Sequence, residues 1–434
     1  MATIYWVGGA EKTAQVVDNT ITGTFESAAV YKLSINAALG TSHVVTTTGQ
    51  ADINAAIADL VNQWNASTHP WMSAVTASVN GISVRLTADV PGVPFDVSWS
   101  ASGGTNPTVL QTIVTPSSGP NDLSTADNWS PSLPATGDTV IFQNSKTNIC
   151  WGLDFFKTNS IELNKVIIYN TFTGRIGLNA FEFALSSDGL SVDSTIDEYR
   201  PNYLDVNLSD TGQLDIGVGN GAGSGRLMIR LSDTAFTMAN NTVNVVSLPA
   251  TTADADLAPL RLMTEPNVLT GAHVGTLNIY SGGVDLGLQR ETDNAPVFAA
   301  CLVDTVNVFG GNVRTGLVAK AETKMTVSGG TVSGSIDAQT IAQDGGAVVL
   351  DDTVGFDSYT QDGGTAVLQR GVSAGGLNKK LTLNSGQMDF TNATKPITVD
   401  NIELHSGATL TYRPGTFSWT ALTTPDTAVN LQVT

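Results

Sequence analysis

The 434-residue chain carries 20 Lys and Arg against 39 Asp and Glu, and its net charge of -19 repels a phosphate backbone and excludes DNA and RNA as direct ligands. Forty-three Gly, with only 14% charged residues, favour turns and strands over helices, so an all-β chain is expected, as about two to four domains or one long repeat array. Cys150 and Cys301 are far apart and have no CxxC neighbour; this excludes a disulfide framework and a cysteine zinc site and leaves two buried, reduced thiols as the expectation.

The N-terminus, MATIYWVGGAEKTAQ, has neither a basic leader nor an apolar run of signal-peptide length, and no later stretch reaches bilayer length. A soluble protein made in a cytoplasm is expected, which weakens a secreted adhesin as a reading. The first segment, Thr3 to Ala10, is a strand followed by a Gly-Gly turn, and residues 1–17 form the first strand motif of a larger body. That motif resumes only at Asp122 to Phe142, with an Asn-Trp-Ser turn, a Pro-flanked loop and a strand.

Between the two halves, residues 18–117 read as a small inserted α+β domain of β-β-α-β-β order. Strands are predicted over Thr20 to Asn36, Ser42 to Thr48, Val75 to Val90 and Val93 to Ala101, and a helix over Gln50 to Ser67. Ile53, Ile57, Leu60 and Trp64 recur on one helical face, while Asp52, Asp59 and Asn62 lie off it. Asn80-Gly81 between two alternating runs predicts a two-residue hairpin. Ser102 to Asp122 reads as the returning arm.

Residues 118–270 carry looser strands with long side loops: Ser160 to Asn170, Phe181 to Ser186, Tyr203 to Ser209, Gln213 to Val218 and Arg226 to Ser232. The Gly-rich run Gly217 to Gly225 lacks the Lys-Ser/Thr and the following helix of a phosphate loop, so it reads as a turn. Over residues 271–412 one phrase recurs seven times: a short alternating strand, a glycine corner and a second strand, as in TLNIYSGGVDL (Thr276 to Leu286). Aligned on Gly282, Gly310, Gly329, Gly345, Gly363, Gly386 and Gly407, the copies are spaced 28, 19, 16, 18, 23 and 21 residues apart. A period near twenty that tolerates insertions predicts a right-handed parallel β-solenoid. Residues 413–434 break the phrase and read as a cap or oligomerisation tail.

The search for chemistry yields no assigned catalytic, cofactor-binding or metal-ligating residue. Two carboxylates flanking a glycosidic bond are the constellation a glycan hydrolase needs. Asp193, Asp197 and Glu198 cluster in one segment, Asp351, Asp352 and Asp357 lie between two repeats, and Asp285 is the acid of the first phrase. Acids at this density arise by chance in so acidic a chain, and solvated loop acids are the expectation. Asp344 and Asp362, in twin Gln-Asp-Gly-Gly corners, would lie about one rung apart, roughly 4.8 Å. A bridging Ca²⁺ would relieve their repulsion, but Asp is also an ordinary turn residue. His43, His69, His273 and His405 stand singly, with no HExxH or GxSxG pattern; His405 reads as a turn or ladder residue. Trp6, Trp129 and Trp64 are expected to pack inside.

Tyr5 to Ala10 together with Ser118 to Phe142 resembles the opening of a family of bacteriophage and phage-derived proteins with a Trp-Val-Gly-Gly start, an Asn-Trp-Ser turn and a Pro/Gly-Asp-Asp loop before a strand. The second half here reads Gly137-Asp138-Thr139, one acid short of the pattern, and the match covers about a third of the chain. The resemblance implies a structural virion protein: a homotrimeric shaft or spike, decorating the capsid or belonging to the tail, that contacts the major capsid protein or other virion proteins. Two alternatives stay open: a tailspike or tail fibre that binds or degrades host glycan, and a bacterial surface adhesin.

Overall fold

The computed structural model describes residues 1–36, 42–105, 107–177, 203–232, 240–249, 258–264, 274–287, 301–315, 319–334, 337–350, 356–369, 380–393, 396–426 and 429–434. The protein is mainly β, dominated by one large, largely parallel sheet system in which strands pair with those one turn of chain further on. Thr3–Trp6 pairs in parallel with Thr139–Phe142, which pairs with Leu163–Tyr169, then Leu204–Val218, Thr242–Val245, Val274–Ile279 and Cys301–Val308. The same ladder continues through Ala319–Val327, Asp337–Gln343, Ser358–Gln361, Lys380–Asp389 and Ile397–Tyr412. A second ladder of parallel pairs runs beside it through Leu227–Ser232, Leu260–Thr264, Gly283–Leu286, Asn312–Thr315, Thr331–Gly334, Ala347–Leu350 and Thr365–Leu368.

Alternation explains why these segments are strands. In Thr276-Leu277-Asn278-Ile279 the two aliphatics are fully buried and the two polar residues face out; the pattern repeats at Val306 and Val308, Met325 and Val327, Leu381 and Leu383. Stacking aligns these inward positions into one continuous apolar core from Ile4 to Phe417. Each fully buried Val, Leu or Ile contributes roughly 1.5–3 kcal/mol. No single rung could bury its apolar side alone, so the rungs stabilise one another.

The glycine corners correct the sequence alignment. Ile279 lies opposite Val308 and Gly283 opposite Asn312, so Gly282 stacks on Gly311, not on Gly310. The positive-φ corner column is Gly282, Gly311, Gly330, Gly346, Gly364 and Gly386. At the next rung Ala408 faces Gly386, and Gly407 falls opposite Ser385. The repeated feature is thus the third corner residue, where the chain needs a left-handed conformation.

Residues 413–434 carry two further strands. They extend the ladder, because Phe417–Thr423 pairs with the first half of Ile397–Tyr412 and Asn430–Val433 pairs with its second half. Of the looser strands, Phe181 to Ser186 lies outside the described residues, and Tyr203 to Ser209 and Gln213 to Val218 merge into the single strand Leu204–Val218. The Gly-rich run is a turn folded over Asn170, whose Nδ2 donates to the Gly217 and Gly219 carbonyls at 3.0 and 2.9 Å.

Residues 16–115 build two further sheets around a separate apolar cluster. The expected long strand over Thr20 to Asn36 is two, Val16–Thr22 and Val30–Asn36. The returning arm contains an unforeseen strand, Thr108–Thr115, paired antiparallel with Val16–Thr22. The helix spans Ile53–Asn65, with Asp52 capping its N-terminus by accepting from the Ala55 amide at 2.9 Å. Ile57, Leu60 and Trp64 are fully buried, as the periodicity requires, and the Trp64 indole donates to the Val75 carbonyl at 2.7 Å. Asn80 pairs with Ser83, so the hairpin turn is Gly81-Ile82, one residue later than predicted.

Candidate functional site

Three arrangements stand out. The first is the base of the parallel system. Trp6 lies opposite Trp129, because Thr3–Trp6 pairs antiparallel with Trp129–Ser130 on one side and parallel with Thr139–Phe142 on the other. Their rings meet edge to face at 5.1 Å and pack against Phe142, and both are buried. Asn128, fully buried, is the clasp: its Oδ1 accepts from the Ala10 amide at 2.9 Å, and its Nδ2 donates to the Gly119 and Asp122 carbonyls at 2.7 Å each. Its own carbonyl accepts from the Val7 amide at 2.8 Å. Asp138 ties the other end, accepting from the Ala2 amide at 2.6 Å and the Ala135 amide at 3.1 Å. The antiparallel Trp129–Ser130 segment occupies an edge that Thr3–Trp6 would otherwise offer for pairing.

The second is a charged ladder on the outer face of the second sheet. Register places Arg261, Asp285 and Arg314 in one column on successive strands. Asp285, 1% exposed, receives a bidentate pair from Arg314, Nε and a terminal nitrogen both at 2.7 Å, with the Arg261 Nε 3.7 Å away. Asp205 and Arg230 form a second bidentate pair on adjacent strands. The Tyr203 hydroxyl lies beside this group and accepts from Arg261; burial pushes it up to about 12, against the pull of Arg261.

These pairings decide the fate of the candidate acids. Asp285 is a buried ion-pair partner, not a solvated loop acid and not one member of a free carboxylate pair. Asp357 is exposed, and its main chain bridges neighbouring rungs. Asp193, Asp197, Glu198, Asp351 and Asp352 lie outside the described residues, as does His273. Asp285→Ala is expected to lower stability by about 2–3 kcal/mol, because two partly buried guanidiniums lose their counter-charge. Parallel melts of Asp285→Ala and Arg314→Ala check this, and equal melting of both variants and wild type would remove the ladder from the stability argument.

The third lies at the corners between the two sheets. Gln343 and Gln361 of the twin corners point inward and are fully buried, whereas Asp344 and Asp362 are exposed. Gln343 donates to the Thr365 carbonyl at 2.9 Å and accepts from the Tyr359 hydroxyl at 2.8 Å; Gln361 donates to the Gln387 carbonyl at 3.0 Å. Burial pushes the Tyr359 hydroxyl up. Inside the corner the glutamines bind one rung to the next, and strict inward-outward alternation from Ile341 could have located them. Asp362 accepts from Asn384 at 2.6 Å.

Nearer the N-terminal end the corner is aromatic. Tyr280 and Phe309 stack at 4.9 Å with an interplanar angle of 12°, and each is nearly half exposed. Beside them runs an amide ladder: Asn307 donates to Asn278 and Asn278 to Asn244, both at 2.9 Å, and Asn244 donates to Asp215 at 2.7 Å. Desolvation raises the Asp215 carboxyl, but hydrogen bonds from Asn244, Lys165 and Gln213 outweigh it and hold it below the usual carboxylate range.

The remaining candidates are scattered. His43 and His69, distant in sequence, lie face to face with ring centroids 3.1 Å apart, and His43 borders an open depression of about 430 Å³. His405 sits between Glu403 at 3.2 Å and Asp426 at 3.4 Å, a ladder position as expected. Cys150 is half-buried rather than fully buried, and the Cys301 side chain lies outside the described residues. Among the described residues no group of three or more His, Cys, Asp or Glu is placed to hold a metal ion, and no helix is long and apolar enough to cross a membrane. The chain matches no protein family, no curated protein and no solved structure.

Proposed function

We propose that the chain is a structural protein of a bacteriophage virion, a capsid decoration or spike built as a right-handed β-solenoid. In this reading residues 18–117 form an inserted domain that attaches the protein to the particle, and the protein is a homotrimer without enzymatic activity of its own. The observation that carries the reading is the unbroken ladder from Thr3 to Val433, closed at its start by the Trp6, Asn128 and Trp129 clasp. Parallel rungs tied by main-chain bonds, buried glutamines and Asp–Arg pairs make a stiff column, and the residues that make the clasp belong to the two halves of the phage-like motif.

Attachment is assigned to the outer strand Thr108–Thr115. It exposes Leu110, Ile113 and Val114, with no charged residue or proline along its length. The test is co-sedimentation with density-purified particles of a phage whose genome encodes the chain. Wild type is expected to travel with the particle, and the double substitution Leu110→Glu, Ile113→Glu to be left behind with its melting temperature unchanged. A wild-type protein absent from particles overturns the virion reading; release of reducing ends from host capsule replaces it with a tailspike.

A further inference from the structure

We propose that the outer face made by Thr242 to Val246, Thr276 to Tyr280 and Thr305 to Phe309 binds a neutral oligosaccharide. The three segments share one pattern, Thr-x-Asn-x followed by an apolar or aromatic residue, and register sets like on like: Thr242, Thr276 and Thr305 in one column, Asn244, Asn278 and Asn307 in the next. The intervening Val243, Val245, Leu277, Ile279, Val306 and Val308 are buried, so every second side chain is committed to the outer face. Corner residues Val246, Tyr280 and Phe309 form the third column, 39%, 47% and 46% exposed.

The hydrogen-bond inventory of the middle column points outward. An asparagine amide has two N–H donors and an oxygen with two lone pairs. The ladder uses one donor on each of Asn244, Asn278 and Asn307, and one lone pair on each of Asn244 and Asn278. Each amide therefore keeps a donor and an acceptor for a ligand, held in place because its other half is fixed by its neighbours. The threonine column adds hydroxyls, which donate and accept. Main-chain bonds pin the aromatic corners: the Tyr280 amide donates to the Val245 carbonyl at 2.9 Å and the Phe309 amide to the Ile279 carbonyl at 2.8 Å.

A pyranose is the ligand that needs this combination. Its C–H face is apolar and stacks on a flat, exposed ring, while its hydroxyls each require a donor or an acceptor beside that ring. Strand spacing of about 4.8 Å repeats the same three-column surface from rung to rung, so consecutive sugar units meet equivalent groups. Charge argues for a neutral sugar. The three columns contain no ionisable group except the Tyr280 phenol, the Asp215 at their end is neutralised by Lys165 at 2.7 Å, and a chain of net charge -19 repels acidic polymers. Binding here involves no bond cleavage, and it stands whether or not the chain belongs to a virion.

The test uses the full chain against a panel of neutral hexasaccharides of glucose, galactose and mannose, with hyaluronate fragments as the acidic comparison. Saturation-transfer NMR is expected to show magnetisation passing from aromatic protein protons to the C–H protons of at least one neutral sugar and to none of hyaluronate. Tyr280→Ala and Phe309→Ala are each expected to weaken binding at least 10-fold with unchanged melting temperature, since both side chains are half exposed. Asn278→Asp, which puts a charge in the ladder, is expected to weaken it as well. Failure of every neutral sugar to bind, preference for hyaluronate, or binding that survives the Tyr280→Ala, Phe309→Ala double substitution overturns the proposal.

Discussion

Gly346→Ala is expected to destabilise the protein by about 3 kcal/mol, whereas Gly81→Ala, at nearly the same backbone angle, is expected to cost about 1 kcal/mol. Both glycines are left-handed, with φ of +66° and +60°. An L-residue pays roughly 1–2 kcal/mol in that region. The difference lies in what the new methyl group meets. At Gly81, on an exposed hairpin, there is nothing within 4 Å; at Gly346 a Cβ would fall 2.6 Å from the Gly330 carbonyl oxygen and 2.8 Å from the Gly329 carbonyl carbon, both backbone atoms of the neighbouring rung. Relief requires parting two hydrogen-bonded strands, an overpacking cost of about 1–3 kcal/mol. Paired thermal melts of the two variants decide the matter: equal shifts would mean that backbone angle alone, and not the stacking of corners, sets the need for glycine.

Asn128→Ala is expected to cost about 3–5 kcal/mol, the larger of the two effects. Its side chain satisfies the amide of Ala10, 118 residues away in sequence, and two nearby carbonyls, at Gly119 and Asp122. Each buried group left without a partner costs about 1–3 kcal/mol, and the sum is less than additive because water can enter the cavity. Asn128→Asp tests the same geometry from the other side. It keeps the acceptor for Ala10 but sets a negative charge against two carbonyl oxygens, so it is expected to be no better than alanine. Melting temperature together with limited proteolysis of residues 7–13 and 116–122 provides the readout. Wild-type melting and unchanged cleavage of both variants would show that the base does not depend on this clasp.

Several parts of the architecture were legible in the residues. Alternation identified the strands of the repeats, and the spacing of Ile57, Leu60 and Trp64 identified the helix, because both signals arise from the local geometry of one segment. The separation of Trp6 from Trp129 was readable as one interrupted motif, since each half is a strand-and-turn fragment that lacks its partner. Elements whose stability is not local were missed. Thr108–Thr115 has strand-forming residues but no alternation, because as an outer strand it is exposed on most of its length; only its pairing with Val16–Thr22 makes it a strand. Asp285 read as a solvated acid because its partners, Arg261 and Arg314, come from other rungs, 24 and 29 residues away in sequence.

The sequence by itself determined the β character, the repeat and the helix, all consequences of periodicity within a few residues. Tertiary structure decided register. A shift of one residue exchanges every inward side chain for an outward one, and insertions of different lengths between rungs hide which residue stacks on which. Register made Gly282 the partner of Gly311 and brought three asparagines and two aromatic rings from separate rungs into one surface. The physical reason is that main-chain hydrogen bonding between rungs selects one alignment for the whole column, and a single copy of the phrase carries no record of that choice.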